Sequence, residues 1–304
     1  MKIKIGTRES PLALAQAELI ADGLTRIEPR LEIERIIVKT KGDLILDRPL
    51  HEIQDKGLFV KALDDKLLSE EIDLAVHSMK DMPTKLLDEV SILPVLKREE
   101  PRDALVIKSG GFENLKKGAR IGTSSKRRAY QLKIIRPDLD IVSLRGNIHT
   151  RLEKLYEENY DGIVLAAAGL CRVGLRDKIS HIFSVDEIVP APTQGVLCAS
   201  FRVKDEVIKN ILLKLSDHET IVCARIERML LAAIDGGCHV PFGAYCELNG
   251  EEFKLYAVYG DRDGTCITRD HIVEKIDNAP DAIFAFAHRL MNVVKASETA
   301  LYSL

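Results

Sequence analysis

The feature that most constrains this chain is the alternation, over its first two thirds, of short β-rich runs with stretches of helical spacing. Strand candidates at 3–5, 33–38, 72–76, 104–107, 141–144 and 163–166 are mostly separated by apolar residues three or four apart, as in Phe59, Leu63 and Leu67, or Leu152, Leu155 and Tyr156. Strand, helix and strand in succession require crossovers, so the pattern predicts parallel sheets flanked by helices. Ser10-Pro11 fits an N-cap followed by proline at the first helical position, opening a helix through Leu12, Ala15 and Leu19.

The last third changes character. Ser216-Asp217-His218-Glu219 has the capping-box pattern, and Val222, Ile226, Leu230 and Ile234 repeat at a spacing of four until Gly236-Gly237 stop the helix. Two alternating runs, 242–248 and 253–259, and an amphipathic helix from about Pro280 complete an α+β module. Pattern breaks near 97–101 and 190–192, with a strand at 196–203 returning to the first sheet, divide the chain into 1–97 plus 195–215, 98–194 and 216–304. The expected architecture is two α/β domains joined by two hinge crossings around a cleft, plus a small α+β domain.

Composition narrows the function classes. The 304 residues are long enough for two or three cores, and 46% hydrophobic content excludes disorder, while a net charge of −3 argues against general attraction to nucleic acid or membranes. Met1-Lys2-Ile3-Lys4-Ile5-Gly6 alternates like a strand and lacks the apolar core of a signal peptide, and the longest apolar run, 163–168, is far shorter than a membrane span. A cytosolic protein is expected. Its six cysteines should then be reduced, and without Cys-x-x-Cys or His-x-x-Glu-His spacing they provide no structural metal site. Charge is nevertheless uneven: residues 120–151 hold eight Lys and Arg against two Asp, a local +6 that leaves −9 elsewhere.

Within that basic segment Gly122-Thr123-Ser124-Ser125 follows an apparent strand at 119–121 and opens a helix, where backbone N–H groups and hydroxyls meet the positive end of the dipole. Arg127 and Arg128 fall in the first turn, where cations cost stability unless an anion or an acidic partner compensates. A solvated basic helix end is the plainer alternative. Arg145-Gly146-Asn147 and Gly6-Thr7-Arg8-Glu9-Ser10 also follow strands, so three strand-end arginine sites suit a carboxylate or phosphate ligand at the carboxyl ends of parallel strands.

Two further concentrations stand out. The strand ahead of His77-Ser78-Met79-Lys80-Asp81 should end near His77, placing Ser78, Lys80 and Asp81 on a loop at the same sheet edge. A carboxylate beside a cation can handle protons or stabilise a developing positive charge, although an Asp before Pro83 can also merely cap a turn. Cys238, after Gly236-Gly237 and before His239-Val240-Pro241, should lie on a constrained turn open to a reactant, whereas most single cysteines are buried and inert.

Taken in order, Gly6-Thr7-Arg8-Glu9-Ser10-Pro11-Leu12-Ala13, Lys56-Gly57-Leu58-Phe59-Val60-Lys61, His77-Ser78-Met79-Lys80-Asp81, Gly122-Thr123-Ser124-Ser125-x-Arg127-Arg128, Leu144-Arg145-Gly146-Asn147 and Glu227-Arg228 through Cys238-His239-Val240-Pro241 resemble the hydroxymethylbilane synthase, or porphobilinogen deaminase, family over nearly the whole chain. The resemblance implies two periplasmic-binding-protein-like α/β domains and a small α+β domain. It implies a transferase of tetrapyrrole biosynthesis that joins four porphobilinogen molecules with loss of ammonia on a dipyrromethane cofactor held by a thioether to Cys238. Asp81 matches the catalytic aspartate. Arg8, Ser10, Lys56, Ser78, Lys80, Thr123, Ser124, Ser125, Arg127, Arg128, Arg145, Gly146, Arg151, Arg172 and Gln194 match positions that hold cofactor and substrate carboxylates. A cytoplasmic monomer with no nucleic-acid or membrane partner is implied as well.

The chain departs from the family pattern in places. Glu52 and Asp55 stand in a loop where many members carry Lys and Gly, Thr193-Gln194-Gly195-Val196 replaces a common Gly-Gln-Gly-Ala and stiffens the second crossing, and Lys126 replaces an apolar residue. A two-lobed anion-binding module would share the strand-end arginines, but it has no use for a reactive cysteine on a third domain or for the Lys80-Asp81 loop.

Overall fold

Thirteen strands account for the sheets of the computed structural model, which describes residues 1–39, 60–234 and 240–301. In chain order β1 (Lys2–Thr7), β2 (Glu32–Ile37), β3 (Leu74–Ser78) and β4 (Val90–Val95) precede β5 (Asp103–Ile107), β6 (Arg120–Gly122), β7 (Asp140–Val142), β8 (Gly162–Ala166) and β9 (His181–Ile182). They are followed by β10 (Leu197–Arg202), β11 (Phe242–Asn249), β12 (Glu252–Gly260) and β13 (Ile267–Lys275). The chain divides into two units, Met1–Glu99 with Gly195–Val222, and Glu100–Gln194 with Cys223–Leu304.

The first unit is built on a five-stranded sheet of order β2-β1-β3-β10-β4. β1 is parallel to β2 and β3, and β10, arriving late in the chain, is inserted antiparallel between β3 and β4. Ala17, Ile20 and Leu24 of the helix Pro11–Ile27 form one apolar stripe and pack on Ile3, Ile5, Leu74, Val76 and Ala199. Pro11 occupies the first turn, and Ser10 Oγ accepts from Ala13 N at 3.3 Å, as the Ser-Pro pair predicts. The opposite face is closed by Leu63 and Leu67 of the helix Lys61–Leu68 against Ile72, Ala75 and Val90.

The second unit repeats the plan with the order β7-β6-β8-β5-β9, where β6 is parallel to β7 and β8 and β5 is antiparallel to β8. It also contains the antiparallel sheet β11-β12-β13 and the C-terminal helix Ala279–Leu301. This smaller sheet is fastened by backbone: Ala244 N donates to Pro190 O at 3.0 Å, and a Cβ on Gly243 would fall 2.7 Å from the same oxygen, so only glycine allows the approach. Arg269 Nη2 adds bonds to Gln131 Oε1 at 2.9 Å and Glu187 O at 2.8 Å.

The capping box near 216–219 is formed differently from its sequence reading. Asp217 is the cap, its Oδ1 accepting from Thr220 N at 2.9 Å, because the preceding helix Glu206–Leu215 ends one residue before Ser216. Ser216 Oγ therefore turns back to Leu212 O at 2.9 Å and Pro94 O at 2.8 Å.

Two buried ionisable groups of the first unit pull stability in opposite directions with pH. His77, 7% exposed, lies 3.0 Å from Ser200 Oγ, and burial, seconded by Arg8, lowers its pKa to about 4. As pH falls from 6.5 toward 4 the unfolded chain takes up this proton first, so stability is lost over that window. Asp64, 8% exposed and with Oδ1 lacking a hydrogen-bond partner among the described residues, is raised to about 6 by burial and then by Asp65. Between pH 6 and 3.8 the folded chain holds the extra proton, so acidification there stabilises and masks the His77 effect. Asp64→Asn is expected to raise the melting temperature at pH 7 and to expose a loss of stability between pH 6.5 and 4. Calorimetric melts across this range check it, and an unchanged melting temperature at pH 7 would reject the assignment.

Candidate active site

In the first unit the parallel pair β1 and β3 brings Arg8 and Ser78 to one edge of the sheet, and the antiparallel β10 sets Leu197 opposite Ser78. Beyond Ser78 the chain makes a single 3-10 turn, Met79–Asp81. Met79 and Met82, 3% and 5% exposed, anchor it from both sides, while Met79 N donates to Val196 O at 3.0 Å. Between these anchors Lys80 and Asp81 are left exposed. Ser78 Oγ accepts from Gln16 Nε2 at 2.8 Å, and Thr7 Oγ1 donates to Ala13 O at 3.0 Å, so the neighbouring hydroxyls are part of the scaffold.

The second unit gathers more of the sequence-derived residues. β6, β7 and β8 are parallel, so the loops after them share an edge: Thr123, Ser124 and Ser125 after β6, Arg145 and Gly146 after β7, and Arg172 at the end of the short helix Ala167–Arg172 after β8. Ser125 caps the helix Lys126–Ile135, its Oγ accepting from Arg128 N at 3.4 Å, and Ser125 N donates to Thr123 Oγ1 at 3.2 Å. Ser124 Oγ donates to Leu144 O at 2.8 Å and accepts from Leu144 N at 3.1 Å, which makes Ser143 the donor in their 2.9 Å contact. One serine thereby laces two loops together. Gly146 has φ +120, and a Cβ there would lie 2.8 Å from Thr150 Cβ; its carbonyl accepts from Arg151 Nε at 2.7 Å.

The acid that compensates Arg127 and Arg128 is Asp103, which sequence reasoning missed. It opens β5, opposite Ala166 at the carboxyl end of β8, and has no exposed surface. Arg127 Nη1 reaches its Oδ2 at 2.5 Å, and Arg128 Nε and Nη2 reach its Oδ1 at 2.8 and 2.7 Å. Gln194 Nε2 donates to the same Oδ1 at 3.0 Å. Burial alone would push this carboxyl up, but Arg127 and Arg128 hold it well below the usual carboxylate range. Its only sequence signal is an acid at the head of the apolar run 104–107, 24 residues before Arg127.

One carboxylate shared by two guanidinium groups leaves net positive charge at this edge. Arg151 registers it: burial, then Arg128 and Arg145, lower its pKa to about 10. Planar donors with unbalanced charge suit carboxylate recognition. Gln194, also predicted for this set, is fully buried. Lys56 and Cys238 lie outside the described residues.

The family model described as porphobilinogen deaminase, dipyromethane cofactor binding domain, matches residues 3–210, and that of the porphobilinogen deaminase C-terminal domain matches 221–290. The chain is 45% identical over 279 residues to the porphobilinogen deaminase of Clostridioides difficile (strain 630), covering 91% of each. It is 47% identical over 264 residues to that of Roseiflexus sp. (strain RS-1), covering 86% of this chain and 87% of the relative. Among solved structures the methionine-binding protein MetQ aligns with a TM-score of 0.45 at 14% identity, over 72% of this chain and 91% of its own.

Replacing Asp103 by Asn removes the negative charge that two buried arginines share. Breaking a buried pair on one side costs about 3–5 kcal/mol, so urea unfolding of Asp103→Asn should show a loss of that order. A loss below about 1 kcal/mol would mean that the pair contributes no more than an exposed one.

Proposed function

The chain belongs to the porphobilinogen deaminase family, and we propose that Cys238 carries its dipyrromethane cofactor, that Asp81 acts on the reacting pyrrole, and that the strand-end arginines hold the carboxylates of cofactor and substrate. As a member it is a transferase, hydroxymethylbilane synthase, which condenses four porphobilinogen molecules head to tail with loss of ammonia and releases the linear tetrapyrrole by hydrolysis.

Each porphobilinogen unit bears an acetate and a propionate, so cofactor and growing chain are polyanions, and the residues present fit them. The observation that carries this reading is the shared edge after β6, β7 and β8, where Arg127 and Arg128 divide the single carboxylate of Asp103 and the net charge left is positive. Arg127, Arg128, Arg145, Arg151 and Arg172 of the second unit and Arg8, Lys56 and Lys80 of the first are the assigned charged partners. Ser124 spends its hydroxyl proton on Leu144 O, whereas the hydroxyls of Ser10, Thr123 and Ser125 accept from backbone N–H groups and keep a proton to donate. Those three hydroxyl protons suit a carboxylate, and Ser124 and Gly146 contribute through the shape of the turns.

When bound, the cofactor supplies the free pyrrole α-carbon on which the chain is extended. Asp81 accepts the N–H of the incoming pyrrole and offsets the positive charge that develops as the bond from its aminomethyl carbon to ammonia breaks. Met79 and Met82 fix the turn, so the carboxylate is presented without a reorganisation cost at the moment of reaction. The same reading carries a cytoplasmic monomer with no nucleic-acid or membrane partner. The net charge of −3 argues against a general attraction to nucleic acid or membranes. Among the described residues no helix is long and apolar enough to cross a membrane.

Intact-mass measurement separates the two assigned roles. Cys238→Ser should fold and show the mass of the bare chain, and a normal cofactor adduct in that variant would place the attachment elsewhere. Asp81→Ala should keep the adduct and lose on the order of 100-fold or more in turnover. Turnover within a few-fold of the parent would remove Asp81 from the chemistry.

A further inference from the structure

Gln194 closes the second unit's middle segment, and its surroundings over-determine its position. Thr193, just before it, has φ +57, and Gly195, just after it, has φ +88. A β-branched residue in the left-handed region is an outlier that persists only where neighbours impose it. Here Thr193 N donates to Glu227 Oε2 at 2.5 Å and Gln194 N to Ala191 O at 3.0 Å. Glu227, itself without exposed surface, accepts from Cys246 N through its other oxygen at 2.8 Å, so the clamp joins the helix His218–Ile234 and β11. The backbone of 191–194 is held by buried groups that do not move with solvent.

Out of this clamp the amide Nε2 of Gln194 reaches Asp103 Oδ1 at 3.0 Å and Pro101 O at 2.8 Å. A primary amide has two N–H bonds, and these contacts engage both. No donor remains for a ligand carboxylate. Asp103, in contrast, touches both arginines through torsions that two flexible guanidinium groups do not fix alone, and a neutral donor from a rigid turn sets its plane without changing the charge of the cluster.

We propose that Gln194 is a positioning residue: clamped by Glu227 through Thr193, it orients Asp103 and through it Arg127 and Arg128, and makes no contact with the ligand. The inference rests on the assignment of Arg127 and Arg128 as carboxylate-holding groups.

The test is a double-variant cycle of Gln194→Met, which keeps length and removes both N–H donors, with Arg128→Gln. KM and kcat for porphobilinogen are measured, and cofactor loading of the full-length apoprotein incubated with porphobilinogen is followed by intact mass. Loss of one hydrogen bond to a charged group predicts that Gln194→Met raises KM about tenfold and slows loading to a similar extent, with kcat within about threefold of the parent. In the double variant Gln194→Met should add less than about twofold to Arg128→Gln, because the effect passes through the arginine. Full additivity, or a Gln194→Met protein indistinguishable from the parent, overturns the proposal. If Arg128→Gln alone leaves KM and loading unchanged, the carboxylate-holding assignment fails first and the proposal falls with it. Should Gln194→Met fail to fold by circular dichroism, Thr193→Gly, whose φ suits glycine, loosens the same clamp and should raise KM about threefold. An unchanged KM there overturns the proposal equally.

Discussion

Asp103 sits at the head of β5 without exposed surface, and its one negative charge is divided between Arg127 and Arg128. Taking three charged groups out of water costs several kcal/mol per ion, and their attraction repays this only when the remaining donors are also met. Two such donors are met by backbone: Arg127 Nη1 also donates to Val189 O at 2.8 Å and Arg128 Nη1 to Val164 O at 3.1 Å. The same carboxylate answers a second objection, since cations in the first turn of a helix oppose its dipole. Without Asp103 neither the helix Lys126–Ile135 nor the edge of the sheet could hold both arginines.

Both units use one device to present polar groups. Parallel strands end at a common edge, and an antiparallel strand returns to place its own first residues there, β10 in one sheet and β5 in the other. The edges are stiffened differently. In the first unit two buried methionines pin a one-turn loop, whereas in the second Ser124 binds both backbone groups of Leu144 and ties two loops into one surface. In each case the stiffening comes from side chains bonded or packed within the scaffold itself.

How far the sequence could be read follows from range. Buried inner strands announce themselves by β-branched runs, and the helix caps at Ser10 and Ser125 by local chemistry. β4 stayed hidden because Pro94 lies inside it, and β13 because polar and charged residues stand on both of its faces, as at Thr268, Asp270 and Glu274 and at Arg269, His271 and Lys275. The strand-end arginines were legible because glycine, hydroxyl residues and Arg cluster within a few positions. Asp103 was not, because only the register of β5 on β8 brings it to them. The Ser216 cap was misread because two helices compete for one turn.

The uneven charge of residues 120–151 takes a different meaning once partners are known. Arg136 is paired with Asp138 at 2.8 Å and Arg120 with Asp140 at 3.2 Å, and Lys133 and Lys126 are engaged by backbone carbonyls. These cations serve the scaffold, so the count of +6 overstates what a ligand meets. Arg151 is different, because burial and then Arg128 and Arg145 lower its pKa at an edge where Asp103 supplies only half the charge that Arg127 and Arg128 carry. A basic segment binds anions through the few charges its own fold leaves unbalanced, and in this chain the placement of one aspartate decides which charges those are.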